Sequence, residues 1–215
     1  AGEAARAGDR VAVPVDTSLA VADHLAERDV AVERTPVGDV YVAAAASEPG
    51  VAFGGEPSGA WIWPEETLCP DGPLAACKLA ALAATEPLAE RAARVETYPI
   101  RRESVETDQK EAVMAAVEDA VGAGEGERTG GLDGDATVAD GDVTTADDDV
   151  TTPEGDVTTL DGVRVDLGDA WFLIRASGTQ PLVRLTAEAR SADRADAALE
   201  RARSLVERAT ATLQE

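Results

Sequence analysis

The sequence predicts an α/β domain followed by a small α+β domain with a C-terminal helix. Three observations predict it. Residues 1–94 alternate short apolar runs with segments of helical spacing, the pattern of strands and helices packed in layers. From Val95 the texture changes to one helix, then three strand-like runs close together. The chain closes on a long amphipathic segment, about Ala192 to Leu213. Domains are therefore placed at 1–94 and 95–215, the second carrying an acidic repeat insertion at 122–160.

Residues 1–10 are small and polar and read as frayed. Val11 to Val15 is a buried strand. Ser18 can cap a helix running to about Arg28, with Leu19, Ala22, Leu25 and Ala26 on one face. Ala31 to Arg34 is a second strand. Val37-Gly38-Asp39 is a turn, with Asp39 able to cap a helix through Ala46. Val51 to Phe53 is a third strand that runs into Gly54-Gly55-Glu56-Pro57-Ser58-Gly59, and Trp61-Ile62-Trp63 resumes a strand-like run. Asp71-Gly72-Pro73 is a helix start with proline in the first turn, opening a helix that carries Leu74, Cys77, Lys78, Ala81 and Leu82.

Val95 to Ile100 alternates apolar and polar residues, and Arg101-Arg102 follows. Asp108 with Glu111 opens a helix carrying Val113, Met114, Val117 and Ala120 to Gly122. Strands are predicted at Val163–Leu167, Trp171–Arg175 and Leu182–Ala187. In the final helix Ala195, Ala198, Leu199, Ala202, Leu205, Val206, Ala209 and Leu213 share one face. Between these elements lies a seven-residue tandem repeat: Ala139–Thr145, Ala146–Thr152 and Pro153–Thr159, each ending Asp-Val-Thr-Thr, with Leu132–Val138 a degenerate earlier copy. One Val per repeat cannot form a coiled-coil seam, so the repeat reads as a solvated, mobile insertion. A cation-binding acidic loop is the sharper reading, but the Asp spacing lacks the glycine and terminal glutamate of a calcium loop.

The 215 residues carry 42 acidic and 19 basic side chains, a formal net charge of -23. Lysine occurs only at Lys78 and Lys110, and aromatics make up 3%. Acid spread along the whole chain fits a protein adapted to high salt, where self-repulsion is screened. The same charge repels phosphate backbones and argues against nucleic-acid binding. A basic protein partner is the competing reading of the acid. Cys69 and Cys77 have neither redox nor zinc spacing and read as reduced thiols. No apolar run reaches membrane-spanning length and no signal-peptide pattern is present, which points to the cytoplasm. The chain begins Ala-Gly-Glu rather than Met, which suggests a fragment or a processed start.

Two loops carry chemistry. In W-F-L-I-R-A-S-G-T-Q-P-L-V-R, Trp171 to Arg184, an apolar run ends at Arg175, and a turn with Ser177, Gly178 and Thr179 follows. Successive turn N–H groups, two hydroxyls and a guanidinium suit a phosphate. Locally, a plain hairpin with an exposed arginine fits as well. In the second loop, Gly54 and Gly55 let the backbone approach closely, and Glu56 with Ser58 can grip adjacent sugar hydroxyls. A tight turn with an exposed acid is its plainer reading.

Together, G-G-E-P-S-G followed by R-A-S-G-T-Q-P-L-V-R resembles the α-D-phosphohexomutase superfamily, which includes phosphoglucomutase/phosphomannomutase and phosphoglucosamine mutase. Val13 to Ala22, Arg34 to Val42, Trp61 to Glu65 and Asp71-Gly72 are similar to that family's third domain. Lys110 to Met114, Asp161 to Val165 and the terminal helix are similar to its fourth. The resemblance implies that Glu56 and Ser58 bind ring hydroxyls. It implies that Arg175, Ser177, Gly178 and Thr179 hold the phosphate not being transferred. Such enzymes move a phosphoryl group from a phosphoserine to the sugar and take the other phosphate back, so sugar and phosphate contacts sit on separate, movable domains.

The family's phosphoserine loop and magnesium loop belong to its first two domains, and neither motif occurs here. No catalytic residue is therefore assigned to this chain. Magnesium is expected for the complete enzyme, bound outside the chain. Asp133-Gly134-Asp135 and Asp140-Gly141-Asp142 lie in the repeat and are not assigned a metal. Ala60 stands where the family often has His, Pro36 where it often has a basic residue, and Gln180 where Glu is usual. The implied function is the C-terminal part of a phosphohexomutase acting between C1 and C6 of glucose, mannose or glucosamine phosphate, inactive alone, with a phosphorylated hexose and the missing N-terminal half as partners. A stand-alone or degenerate phosphosugar-binding module is the alternative.

Overall fold

The computed structural model describes residues 1–122 and 155–214 and contains two sheets. The first part of the chain runs β1 (Arg10–Pro14), α1 (Leu19–Ala26), β2 (Ala31–Thr35), α2 (Asp39–Ala46), β3 (Val51–Gly55), β4 (Trp61–Ile62), α3 (Gly72–Thr85) and α4 (Leu88–Ala92). The strand order is β2-β1-β3-β4, parallel except for β4. Alternation along β1 sends Val11 and Val13 to the face shared with Leu25, Val30 and Phe53. Ala12 goes to the opposite face with Val42, Ala46, Val51 and Ile62. Each face is thus covered by one helix, α1 or α2, as the strand–helix alternation predicts.

The second part runs β5 (Ile100–Glu106), α5 (Lys110–Gly122), β6 (Asp156–Thr158), β7 (Val163–Asp166), β8 (Ala170–Ala176), β9 (Leu182–Ala189) and α6 (Ala192–Thr212). The sheet is antiparallel, in order β5-β9-β8-β7-β6. Phe172 and Ile174 pack with α5 and α6 in one large core. Trp171 and Leu173, on the other face of β8, pack against Val15 and Leu19 of the first part. The unbroken apolar run of β8 is explained by this: both faces of the strand are covered.

Ser18 and Asp71 cap α1 and α3 as expected, and Ser191, which was not singled out, caps α6; each accepts a hydrogen bond from the first turn of its helix. Several expectations are corrected. Residues 1–10 are tied down: Arg28 donates to the Gly2 carbonyl at 2.8 Å, Gly8 donates to Asp29 O at 2.7 Å, and Ala4 and Ala5 pack on the core. Gly38, not Asp39, caps α2, with φ +134°, a conformation suited to a residue without Cβ. The alternation starting at Val95 becomes strand only at Ile100, because the ladder to β9 runs from Ile100 to Glu106. The turn before α5 is closed by Thr107, whose hydroxyl accepts from Gln109 N at 3.1 Å, and the helix begins at Lys110. Of the α3 residues only Ala75 is buried.

The repeat is the largest departure. Its copies from Leu132 to Thr152 lie outside the described residues. In the last copy, Asp156-Val157-Thr158 forms edge strand β6 on β7, with Val157 opposite Val165 and packed against the core. Those three residues are sheet rather than solvated insertion, since β7 otherwise presents an unpaired edge.

Candidate functional site

The parallel strands β1, β2 and β3 end on the same side of their sheet, so the loops after them converge. After β3, Gly54 and Gly55 are required by packing. A Cβ on Gly54 would stand 2.9 Å from Val42 Cγ1, and one on Gly55 would stand 2.7 Å from Phe53 Cε1. The next residue, Glu56, is half-buried and held at both oxygens. Gly38 N donates to Oε1 at 2.8 Å and Ser58 Oγ donates to Oε2 at 3.1 Å. The turn is closed by Gly59 N to Glu56 O and Glu56 N to Ala60 O, both 3.0 Å.

In the second sheet, the β8–β9 turn presents Ser177, Gly178 and Thr179. Ser177 is buried and shapes the turn: its N–H donates to Leu182 O at 2.9 Å and its hydroxyl accepts from Gln180 N at 3.3 Å. Gly178 and Thr179 are exposed, and their N–H groups have no acceptor among the described residues. A Cβ on Gly178 would meet nothing within 4 Å, so the chain's own packing does not require glycine there. Beneath the turn, Lys110 donates to the carbonyls of Ser177 at 2.6 Å and Gln180 at 3.3 Å. The turn therefore combines free N–H groups with a nearby cation.

Arg175 joins the two loops. Its Nε lies 3.1 Å from Asp161 Oδ1 and 3.0 Å from Oδ2. Asp161 Oδ2 also accepts from Val37 N at 3.1 Å, across the two parts of the chain. Val37 precedes Gly38, which holds Glu56. A continuous polar chain thus runs Arg175, Asp161, Val37-Gly38, Glu56, Ser58. Only Nε of Arg175 is occupied among the described residues, which leaves the terminal nitrogens of its guanidinium to a ligand.

Asp161, Lys110 and Asp16 were not assigned roles from sequence. Asp161 carried a signal in the Asp161-Gly162 turn: Gly162 has φ +80°, and a Cβ there would stand 2.3 Å from Ile174 O. Asp16 follows β1. Burial pushes its carboxyl above the ordinary value; its own backbone N–H and Arg175 oppose this, while Glu56 and Asp161 add to it. Asp16 thus senses charges from both loops. His24, in the last turn of α1, neighbours Gly2 and takes no part in the polar chain.

The two parts are joined beside this site by buried polar groups. Fully buried Glu188 accepts from Ser18 Oγ at 2.6 Å, Leu19 N at 2.7 Å and Trp171 Nε1 at 2.8 Å. Arg164 lies 4.1 Å from the Trp171 ring centre and donates to Val15 O at 2.8 Å. Burial, with Arg34 nearby, pulls the Arg164 pKa down to about 10, which leaves it charged at neutral pH.

Residues 2–98 match the family model for phosphoglucomutase/phosphomannomutase alpha/beta/alpha domain III, and residues 104–205 match that for the C-terminal domain of the same family. The chain belongs to the phosphoglucomutase/phosphomannomutase family. It is 41% identical over 190 residues to a protein of Methanopyrus kandleri named probable phosphoglucosamine mutase, covering 86% of this chain and 36% of that one. A protein of the same name from Methanosarcina acetivorans is 35% identical over 201 residues, covering 93% of this chain and 38% of the relative. A solved phosphoglucomutase/phosphomannomutase family structure from Burkholderia thailandensis superposes with a TM-score of 0.68 at 20% identity, over 95% of this chain and 38% of that one. At that identity the likeness shows the fold. The chain spans little more than a third of the length of the relatives it matches.

Proposed function

We propose that this chain is the substrate-holding C-terminal part of a phosphohexomutase that moves phosphate between C1 and C6 of a hexose. Residues 1–94 supply sugar recognition and residues 95–215 phosphate recognition. The observation that carries the reading is the polar chain from Arg175 through Asp161 and Val37-Gly38 to Glu56 and Ser58. It links a guanidinium suited to phosphate with a carboxylate and a hydroxyl suited to ring hydroxyls, and a phosphorylated sugar offers both kinds of group. Arg175, Ser177, Gly178 and Thr179 bind the phosphate that is not transferred, with Ser177 acting by shaping the turn. Glu56 and Ser58 bind ring hydroxyls; Glu56 has lone pairs beyond the two its neighbours use. Among glucose, mannose and glucosamine phosphates, the names of the relatives favour glucosamine phosphate.

In this reading the chain binds and orients; the phosphoserine is supplied by the part of the enzyme that these residues do not include. Among the described residues no cluster of three or more His, Cys, Asp or Glu side chains is arranged to hold a metal ion. The magnesium of the complete enzyme is assigned to its other domains, and no step is derived through it. No described helix is long and apolar enough to cross a membrane. The charge of -23 supports a salt-rich cytoplasm as the working environment.

Calorimetric titration with the three hexose 6-phosphates tests the proposal. Arg175→Ala weakens binding at least tenfold, about 1.4 kcal/mol or more, by removing a charge-assisted grip on phosphate. His24→Ala changes it less than twofold. Equal losses for the two variants overturn the phosphate-loop assignment. The chain alone shows no mutase turnover, and detectable turnover refutes the division of labour.

A further inference from the structure

The loop Val15 to Ser18 occupies a particular place in the first sheet. The chain leaves β1, pairs β2 on one side, and returns through α2 to pair β3 on the other. The crevice beyond the ends of β1 and β3 is the switch point at which open parallel sheets take ligands. Glu56 follows β3 at that crevice, and Asp16 and Thr17 follow β1. In this loop Asp16 Oδ1 and Thr17 Oγ1 are buried and have no hydrogen-bond partner among the described residues. Thr17 is only 5% exposed. Buried polar atoms are nearly always paired, and a consecutive pair of orphans in one loop calls for a reason. The neighbouring Ser18 shows the contrast: its hydroxyl is used by Glu188 and by the α1 cap.

We propose that Asp16 and Thr17 are further ligand contacts of this site, a carboxyl and a hydroxyl that take hydroxyl groups of the phosphorylated polyol held between Glu56 and Arg175. The inference rests on the function proposed above and extends it to the β1–α1 loop. Asp16 accepts from a sugar hydroxyl, and Thr17 exchanges one hydrogen bond with another. The charges around Asp16 agree with the placement, since Arg175 and Asp161 belong to the second part of the chain and Glu56 to the first. The loop carries two unpaired polar atoms in the free chain and pairs them on binding.

The test titrates the chain with glucosamine 6-phosphate and, separately, with inorganic phosphate, following both by NMR. The variants are Asp16→Asn, Thr17→Val and Arg175→Ala. Asp16→Asn and Thr17→Val each weaken sugar phosphate binding about tenfold, the effect of one ligand hydrogen bond. They leave inorganic phosphate binding unchanged, and their melting temperatures do not fall. Wild-type affinity for the sugar phosphate in both variants overturns the inference. So does a parallel loss of sugar phosphate binding, inorganic phosphate binding and melting temperature, because that marks a role in folding only. An Arg175→Ala protein that keeps full affinity sinks the phosphate-loop assignment instead. A wild-type chain that binds no sugar phosphate sinks both.

Discussion

Replacing Glu188 by alanine isolates what holds the two parts of the chain together. The carboxylate is fully buried and takes three hydrogen bonds, two of them from groups that are themselves buried: Leu19 N and Trp171 Nε1. Ser18 Oγ, the third donor, is partly buried and also serves the α1 cap. Truncation leaves the two buried donors unpaired, at about 1–3 kcal/mol each. It also removes the carboxylate from the N-terminus of α1, where a negative charge is favoured by roughly 0.3–1 kcal/mol. Arg164 and Arg34 lose a compensating charge as well, since both sense Glu188. The sum is about 4 kcal/mol. For a chain of this size that lowers the melting temperature by about 8–16 °C. Glu188→Gln retains an acceptor and falls between. The assay is thermal unfolding followed by circular dichroism and tryptophan fluorescence at fixed salt. A drop below about 2 °C for the alanine variant refutes the argument that this carboxylate pins the junction.

Two glycines separate packing from binding. Gly54→Ala forces a Cβ against Val42 and Ala46 and destabilises the fold by about 1–3 kcal/mol in urea unfolding. Gly178→Ala meets open space and leaves stability unchanged, but lowers hexose phosphate affinity several-fold by blocking close approach to the backbone. Two carboxylates respond to pH with opposite signs. Burial opposes ionisation of Asp23, but hydrogen bonds from Arg190 and Tyr98 outweigh it and hold its pKa below the ordinary 3.8. Its contribution to stability is therefore present above that value and lost as the pH falls through the lower folded value, so Asp23→Asn flattens the acid limb of a stability–pH curve. Asp16, with its pKa raised above 3.8, favours the fold at low pH and loses that contribution as the pH rises through its folded value. Asp16→Asn is accordingly more stable than wild type at neutral pH, and lower stability there contradicts the sign.

Much of the fold was legible because it is local. Ser18 and Asp71 cap the helices they precede. The alternation of Val11, Ala12 and Val13 describes a strand covered on both sides. The candidate loops were legible as loops, since Glu56-Pro57-Ser58-Gly59 and Ser177-Gly178-Thr179 have turn composition. What failed depended on partners distant in sequence. Asp156-Val157-Thr158 looked like one more copy of the repeat until β7 was there to pair with it. Residues 1–10 looked frayed because their acceptors, such as Asp29 O for Gly8 N, lie far along the chain. That packing requires Gly54 was hidden as well, because the Val42 and Ala46 side chains it meets lie on the preceding helix.

The sequence by itself determined the two-part architecture, the order of nearly all elements, and two loops whose motifs resemble those of a phosphohexomutase. These follow from periodicity, caps and turn residues, interactions that reach only a few positions along the chain. Only the tertiary structure decided how the loops relate. Asp161 bridges Arg175 to Val37 across 124 residues, and Glu188 reaches Leu19 across 169. It also left Asp16 Oδ1 and Thr17 Oγ1 buried with no hydrogen-bond partner among the described residues. A hydrogen bond between residues so far apart in sequence depends on how two sheets pack, and no local pattern of residues encodes that distance.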